Sequence, residues 1–185
     1  MIAHLLTGVR LLLVPPAALA FADRLPGGPL WPAVFVTLAI ATDHLDGMAA
    51  RSGGTASPGG QVFDHTTDFL FVTASLGGAA SAGLVPWALP ALIVVAFAQY
   101  VTDSFVLDRR KELRMSRLGR WNGILYFAPL VGITLFHLPV PSGVATALRT
   151  LVIATSWVLA ASTVASIVDR ALATRRVSDS GPPSP

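Results

Sequence analysis

Long apolar runs, broken by short polar or glycine- and proline-rich stretches, set the rhythm of the chain. Six such runs cover residues 5–22, 30–50, 61–84, 86–107, 121–136 and 144–168. Each approaches the roughly 20 residues that an α-helix needs to cross the hydrocarbon core of a bilayer. The pattern predicts an all-α fold, a polytopic integral membrane protein with six transmembrane helices. Pro15 and Pro16 place a kink in the first of them. The breaks at 23–29, 83–87 and 138–143 read as turns, the Gly- and Ser-rich stretch 52–60 as a loop, and 108–120 as a charged connector. Residues 1–170 are expected to form one transmembrane domain. Residues 171–185, basic and then rich in Ser, Gly and Pro, are expected to form a disordered cytoplasmic tail. No repeat of the kind found in inverted-repeat transporters is visible.

Composition supports the membrane reading. The chain is 53% hydrophobic and 12% charged, where a soluble domain carries about 25% charged residues. It has no cysteine, which excludes disulfides, thiolate nucleophiles and zinc–thiolate sites. The first apolar run contains Arg10 and the paired prolines, and no small-residue cleavage site follows it, so it is expected to stay in the mature protein. The net charge of +3 is small, but its placement is informative. Arg51, the group Arg109, Arg110, Lys111, Arg114, Arg117 and Arg120, and the tail residues Arg170, Arg175 and Arg176 fall on one side of a six-span topology. Arg24 and Arg149 fall on the other. Basic residues accumulate on the cytoplasmic side, which puts both termini in the cytoplasm of a multi-pass protein of the cytoplasmic (plasma) membrane. No nucleic-acid partner is expected.

Against this background Asp43, Asp46, Asp64 and Asp68 stand out. They lie at the cytoplasmic ends of the second and third spans, where an unpartnered carboxylate is costly. Asp43, Asp46, Gly47 and Ala50 are spaced i, i+3, i+4 and i+7, and Gly60, Asp64 and Asp68 are spaced i, i+4 and i+8, so each set shares one helical face. Helices joined by a short loop are antiparallel neighbours, which lets the two faces meet. Four converging carboxylates repel one another unless cations occupy the space. Hard divalent ions prefer oxygen ligands, and magnesium characteristically joins a few carboxylates to substrate phosphates. Charge balance favours two ions, and Gly47, Ala50 and Gly60 leave room for a bulky ligand. The competing readings are structural pairing of the acids with arginines and a cation or proton path.

These residues carry a family resemblance. The chain resembles the CDP-alcohol phosphatidyltransferases (class I), whose pattern is D-x2-D-G-x2-A-R-x8-G-x3-D-x3-D. Asp43, Asp46, Gly47, Ala50, Arg51, Gly60, Asp64 and Asp68 fill every fixed position within 26 residues, with the eight-residue spacer intact. Thr7, Arg10 and Pro15 resemble the family's N-terminal T-x2-R-x4-P stretch. Many members place a lysine after the last aspartate, where this chain has Phe69. The resemblance implies a membrane enzyme of phospholipid biosynthesis that moves a phosphatidyl group from CDP-diacylglycerol to a small alcohol and releases CMP. It implies Mg2+ or Mn2+, two ions, held by Asp43, Asp46, Asp64 and Asp68, with Asp68 also the general base. It implies contacts to the CDP-lipid from Asp43, Gly47, Ala50, Arg51 and Gly60, and a homodimer.

The acceptor is read from other residues. Arg109, Arg110 and Arg120 are candidates for a phosphorylated acceptor, and Gly119-Arg120 resembles a Gly-Lys pair of many relatives. Contact with anionic lipid headgroups is the plainer role for such cations. Glycerol 3-phosphate leads, because phosphatidylglycerophosphate synthesis is frequent in the family, followed by inositol phosphate and serine. Asp103 reads either as an acceptor contact or as a structural hydrogen-bonding group. His44 and His65 read as packing or outer groups, because adjacent helical residues point about 100° apart. Gln99, Tyr100, Trp121 and Asn122 read as interfacial or pocket residues. The alternatives are transfer of a headgroup from a CDP-alcohol to diacylglycerol, and a small cation transporter or metal-binding membrane protein.

Overall fold

The computed structural model describes residues 2–26, 28–52, 58–102 and 117–179, with side chains over that range except at 2–4, 49–52, 58, 61, 117 and 173–179. Every regular element among the described residues is a helix: α1 (Ile2–Phe21), α2 (Trp31–Ser52), α3 (Pro58–Ser81), α4 (Ala88–Thr102), α5 (Arg117–Leu125), α6 (Phe127–Phe136) and α7 (Ser142–Asp179). Only Tyr126 separates α5 from α6, and its N–H still reaches the Asn122 carbonyl at 2.9 Å. The two therefore act as one interrupted helix, which gives six helical bodies where six apolar runs predict six helices.

The boundaries move in ways that local chemistry explains. Helix α3 begins at Pro58, inside the predicted loop 52–60, because the first helical turn has no use for a proline N–H. Helix α5 begins at Arg117, inside the predicted connector 108–120. Helix α7 continues to Asp179, past the predicted end at 168 and through residues 171–179 that were expected to be disordered. Helix α1 runs unbroken through Pro15 and Pro16, which leave the Leu11 and Leu12 carbonyls without their usual intrahelical donors. The predicted stretch 103–107 of the fourth span lies outside the described residues.

Two helix ends repeat one device. After α1, Arg24 N–H reaches the Leu19 carbonyl at 2.9 Å and Asp23 N–H reaches Ala20 at 3.1 Å, with Asp23 at a φ of 55°. After α3, Leu84 N–H reaches Ala79 at 2.9 Å and Gly83 N–H reaches Ala80 at 3.0 Å, with Gly83 at a φ of 72°. Both are Schellman closures, with a left-handed residue at the position where the helix must stop.

The core is mainly apolar, but polar groups are buried within it and many large apolar side chains face outward. Arg10, Asp46, Asn122 and several Thr and Ser side chains are buried, while Leu12, Trp87, Trp121, Leu151, Trp157 and Val158 face outward. Thr42, Thr67, Ser156 and Thr163 satisfy their hydroxyls on carbonyls one turn back in their own helices. This arrangement suits an apolar surrounding, where the outer surface must be oily and every inner polar group must find a partner. By length and composition, one helix among the described residues is long and apolar enough to cross a membrane, the 31-residue segment Ser142–Leu172, whose most apolar 18-residue stretch has mean hydropathy 2.0. Leu5–Phe21 and Ala88–Thr102 are apolar but shorter.

Helix α1 packs most closely against α3 and α2. At Gly78 the α3 backbone meets the α1 backbone so closely that a methyl group would overlap the Ala18 carbonyl oxygen, whereas neighbouring Gly77 faces open space. Fully buried Ala17 and Ala79 continue this small-residue contact. The contact holds Thr7 and Arg10 of α1 over the ends of α2 and α3. Gly78→Ala is therefore expected to cost about 1–3 kcal/mol from overpacking. Gly77→Ala is expected to be neutral or stabilising by up to about 1 kcal/mol through helix propensity. Thermal unfolding of both variants in detergent checks this, and equal effects would contradict the close α1–α3 approach.

Candidate active site

The antiparallel pair α2–α3 brings the C-terminal part of one helix beside the N-terminal part of the other. Side-chain oxygens of Asp43, Asp46 and Asp64 lie within 4.8 Å of one another, as do ligand atoms of Asp64, His65 and Asp68. Asp64 belongs to both groups, so the four aspartates form one cluster. Asp46 is buried at 5% exposure, Asp64 and Asp68 are half-buried, and Asp43 is open to the outside. The donor set, carboxylate oxygens with one imidazole, fits a hard divalent cation, and His65 joins it although sequence reasoning placed it outside. His44 is exposed and is not part of either group.

A cation from α1 completes the cluster. Thr7 and Arg10 are three residues apart and share a face of α1, and Arg10 is fully buried at 0% exposure. Its Nη2 donates to Asp46 Oδ2 at 2.6 Å, and Thr7 Oγ1 donates to the same oxygen at 3.2 Å. Its Nη1 reaches Asp43 Oδ1 at 3.3 Å and Asp64 Oδ1 at 3.0 Å, and pairs with Asp68 Oδ1 as well. Nε donates to Thr42 Oγ1 at 3.4 Å, and Thr42 in turn donates to a carbonyl of its own helix at 2.8 Å. One guanidinium thus touches all four aspartates. Sequence reasoning missed this role, although an arginine inside an apolar span was itself the signal that a carboxylate partner existed.

Beside the cluster a cavity of about 490 Å³ opens between α2, α3, α4, α5, α6 and α7. Its volume suits a small ligand. Asp43, His65 and Asp68 border it, whereas Asp46 and Asp64 do not. Much of its wall is apolar, including Phe69, Val72, Ile93, Phe97, Ile124 and Phe127. Phe69 stacks on Phe97 with centroids 3.9 Å apart and planes 7° apart. Gln99, Tyr100, Arg120, Ser166 and Arg170 supply further polar lining. Gln99 Nε2 donates to the Ile167 carbonyl at 3.1 Å and so ties α4 to α7.

The remaining predicted residues are placed as follows. Gly47 and Gly60 lie on α2 and α3 at intermediate burial. Ala50 and Arg51 lie on the last turns of α2, but their side chains lie outside the described residues. Arg109, Arg110 and Asp103 lie wholly outside them, whereas Arg120 is exposed and lines the cavity. Trp121 is exposed at 63%, away from that lining, and Asn122 is buried with its Oδ1 accepting from Ser162 at 2.7 Å. Arg170, which sequence reasoning left in the basic tail, reaches the cavity because α7 continues beyond the apolar run.

Comparison with known proteins now bears on this arrangement. The CDP-alcohol phosphatidyltransferase family matches residues 1–169. Two curated Mycobacterium tuberculosis proteins, from strains CDC 1551 / Oshkosh and ATCC 25618 / H37Rv, are each described as a probable phosphatidylglycerophosphate synthase. Each is 32% identical over 180 residues, covering 92% of this chain and 81% of its own length. No solved structure is significantly similar to the chain. With the family matched across nearly the whole chain and four aspartates gathered in one cluster beside a cavity, the protein belongs to the membrane-associated CDP-alcohol phosphatidyltransferases, and it is an enzyme of that class.

Proposed function

We propose that the chain transfers the phosphatidyl group of CDP-diacylglycerol to glycerol 3-phosphate and releases CMP. The observation that carries the reading is the aspartate cluster bordering a cavity that also presents Arg120 and Arg170. The description of the mycobacterial relatives favours the same acceptor. In this reading the six helical bodies span the membrane, the site and both termini face the cytoplasm, and the enzyme acts as a homodimer.

Charge decides how the cluster works. Arg10 offsets one of the four carboxylate charges and leaves three uncompensated in an apolar setting. Asp43, Asp46, Asp64 and Asp68 fit two divalent ions, Mg2+ or Mn2+, which would neutralise the diphosphate and the charge developing on departing CMP. The residues of the chain do the rest. Asp68 borders the cavity and accepts the proton of the acceptor hydroxyl. The acceptor oxygen bonds to the phosphorus that carries diacylglycerol, and the bond from that phosphorus to the bridging oxygen breaks, so the electron pair leaves with CMP. Asp46 lies away from the cavity, fixed by Thr7 and Arg10, and anchors the cluster. Gly47, Ala50 and Gly60 leave room for cytidine and diphosphate, and Arg51 sets a positive charge near the phosphates.

Purified protein in detergent or liposomes, given Mg2+ or Mn2+, CDP-diacylglycerol and a panel of alcohols, is expected to release CMP fastest with glycerol 3-phosphate, and chelation is expected to stop it. CMP release with no acceptor dependence, together with no transfer from CDP-alcohols to diacylglycerol, would sink the enzyme reading. Asp68→Asn is expected to lower turnover by about 100- to 10,000-fold while CDP-lipid binding survives. Loss of folded protein instead would mark Asp68 as structural.

Arg10→Met tests the charge argument. Without divalent ions the variant leaves the four carboxylates to repel one another, and a loss of about 3–5 kcal/mol is expected. Added Mg2+ or Mn2+ is expected to recover much of the lost thermal stability, by a larger increment than in the parent chain. A melting temperature indifferent to divalent ions in both proteins would show that the cluster holds none.

A further inference from the structure

We infer that Tyr100 is a specificity-determining residue that reads the acceptor: its hydroxyl hydrogen-bonds the phosphate of a phosphorylated small polyol, beside the Arg170 guanidinium. The inference deepens the proposed reaction and rests on it. Tyr100 is 5% exposed and lines the cavity that Asp43 and Asp68 border. Its hydroxyl has no hydrogen-bond partner among the described residues. A buried hydroxyl without a partner is costly, and native proteins leave few of them unless a ligand or water completes the bond. Here Tyr100 is part of the wall of a cavity large enough for a small ligand, with its hydroxyl buried in that wall.

The ring that carries this hydroxyl is firmly held. Phe97 packs against it with centroids 5.9 Å apart and stacks in turn on Phe69, the neighbour of Asp68. On its other side the Arg170 Cζ lies 5.1 Å from the ring centroid, a cation–π contact. The bond from Gln99 to the Ile167 carbonyl fixes α4 to α7 less than one turn before Arg170. An aromatic row thus runs from beside the proposed base to a guanidinium, with the unpartnered hydroxyl next to that guanidinium.

The chemistry around Tyr100 selects the ligand class. Arg170 and Arg120 line the same cavity and are hydrogen-bond donors only, and the Tyr100 hydroxyl adds a third donor. Asp43 and Asp68 are acceptors when ionised. A ligand with a hydroxyl for Asp68 and an anionic, acceptor-rich group for Tyr100 and the guanidiniums satisfies both sets. A phosphate monoester of a small polyol has that shape. A cationic alcohol such as choline or ethanolamine would set its positive group against two guanidiniums. An uncharged polyol gains from Tyr100 but gains nothing from their charge.

Tyr100→Phe in the full-length protein keeps the ring, the stack and the cation–π contact and removes only the hydroxyl. Steady-state CMP release with CDP-diacylglycerol is expected to show the KM for glycerol 3-phosphate rising about tenfold or more, with kcat changing less. Competitive inhibition by inorganic phosphate is expected to weaken in parallel, while the KM for CDP-diacylglycerol and the melting temperature stay unchanged. An unchanged KM and inhibition constant would overturn the assignment, and so would a fall in kcat at constant KM, which marks a structural role. Calorimetric titration with glycerol 3-phosphate separates this inference from the reaction it rests on. If the parent chain shows no turnover with any acceptor, the proposed reaction fails, and binding that weakens in Tyr100→Phe still supports the site. If the parent chain binds neither glycerol 3-phosphate nor inorganic phosphate, the site fails even when another alcohol reacts.

Discussion

Four carboxylates packed together at the end of an apolar bundle, one buried, two half-buried and one open to the outside, are the constraint on which the structure depends. Charge removed from water must be paired, and an uncompensated buried charge is among the most destabilising features a fold can carry. The chain meets part of this requirement with Arg10, which needs α1 to lie across the ends of both α2 and α3. That position depends in turn on Gly78, where α3 has no side chain and the α1 backbone can settle against it. A packing detail far along α3 is therefore coupled to the electrostatics of the site. Three negative charges remain after Arg10 is counted, and they give the cluster its capacity to hold cations.

Helical periodicity made one half of this site legible in the sequence. Asp43 and Asp46, and Asp64 and Asp68, are separated by three or four residues, so each pair shares a face whatever the rest of the chain does. The short link between the helices then brings the faces together. Arg10 was not legible in the same way, because the partner of an arginine in α1 depends on the packing of three helices rather than on local spacing. Tyr100 reads from the sequence only as an interfacial or pocket residue, and its meeting with Arg170 is not legible for a related reason. They meet at one cavity only because α4 and α7 are neighbours, and no regularity in the sequence encodes that pairing.

The misplaced boundaries share a single cause. Hydropathy locates the edge of the apolar region, whereas a helix ends where its backbone bonding ends. Asp169 and Arg170 close the apolar run, yet α7 continues because the stretch beyond is dominated by Arg, Ala and Leu, which are good helix formers. Arg117 and Arg120 were assigned to a connector on the same ground, and both lie in α5. Pro58 was read as a breaker, although a proline in the first turn removes a donor that has no intrahelical acceptor. These shifts matter for function, since they carry Arg120 from an expected connector and Arg170 from an expected tail onto helices that border the cavity.

The apolar wall beside Asp68 has a chemical consequence for the proposed reaction. An activated diphosphate beside a general base is exposed to attack by water, which would compete with the alcohol. The Phe69–Phe97 stack at 3.9 Å leaves no space between the rings for a water molecule, and Ile93, Ile124 and Phe127 continue the apolar lining. Water therefore finds few partners along this wall, while an alcohol with an anionic group would gain Arg120 and the Arg170 guanidinium beside Tyr100. In the proposed reaction, discrimination against hydrolysis would come from the acceptor's distal group, which would hold its hydroxyl near Asp68 for longer than an unanchored water stays there. Where many relatives set a lysine next to the last motif aspartate, this chain sets Phe69, an apolar group that adds to the wall. The positive charge that the proposed anionic acceptor needs would come instead from Arg120 of α5 and Arg170 of α7, which line the same cavity as Tyr100.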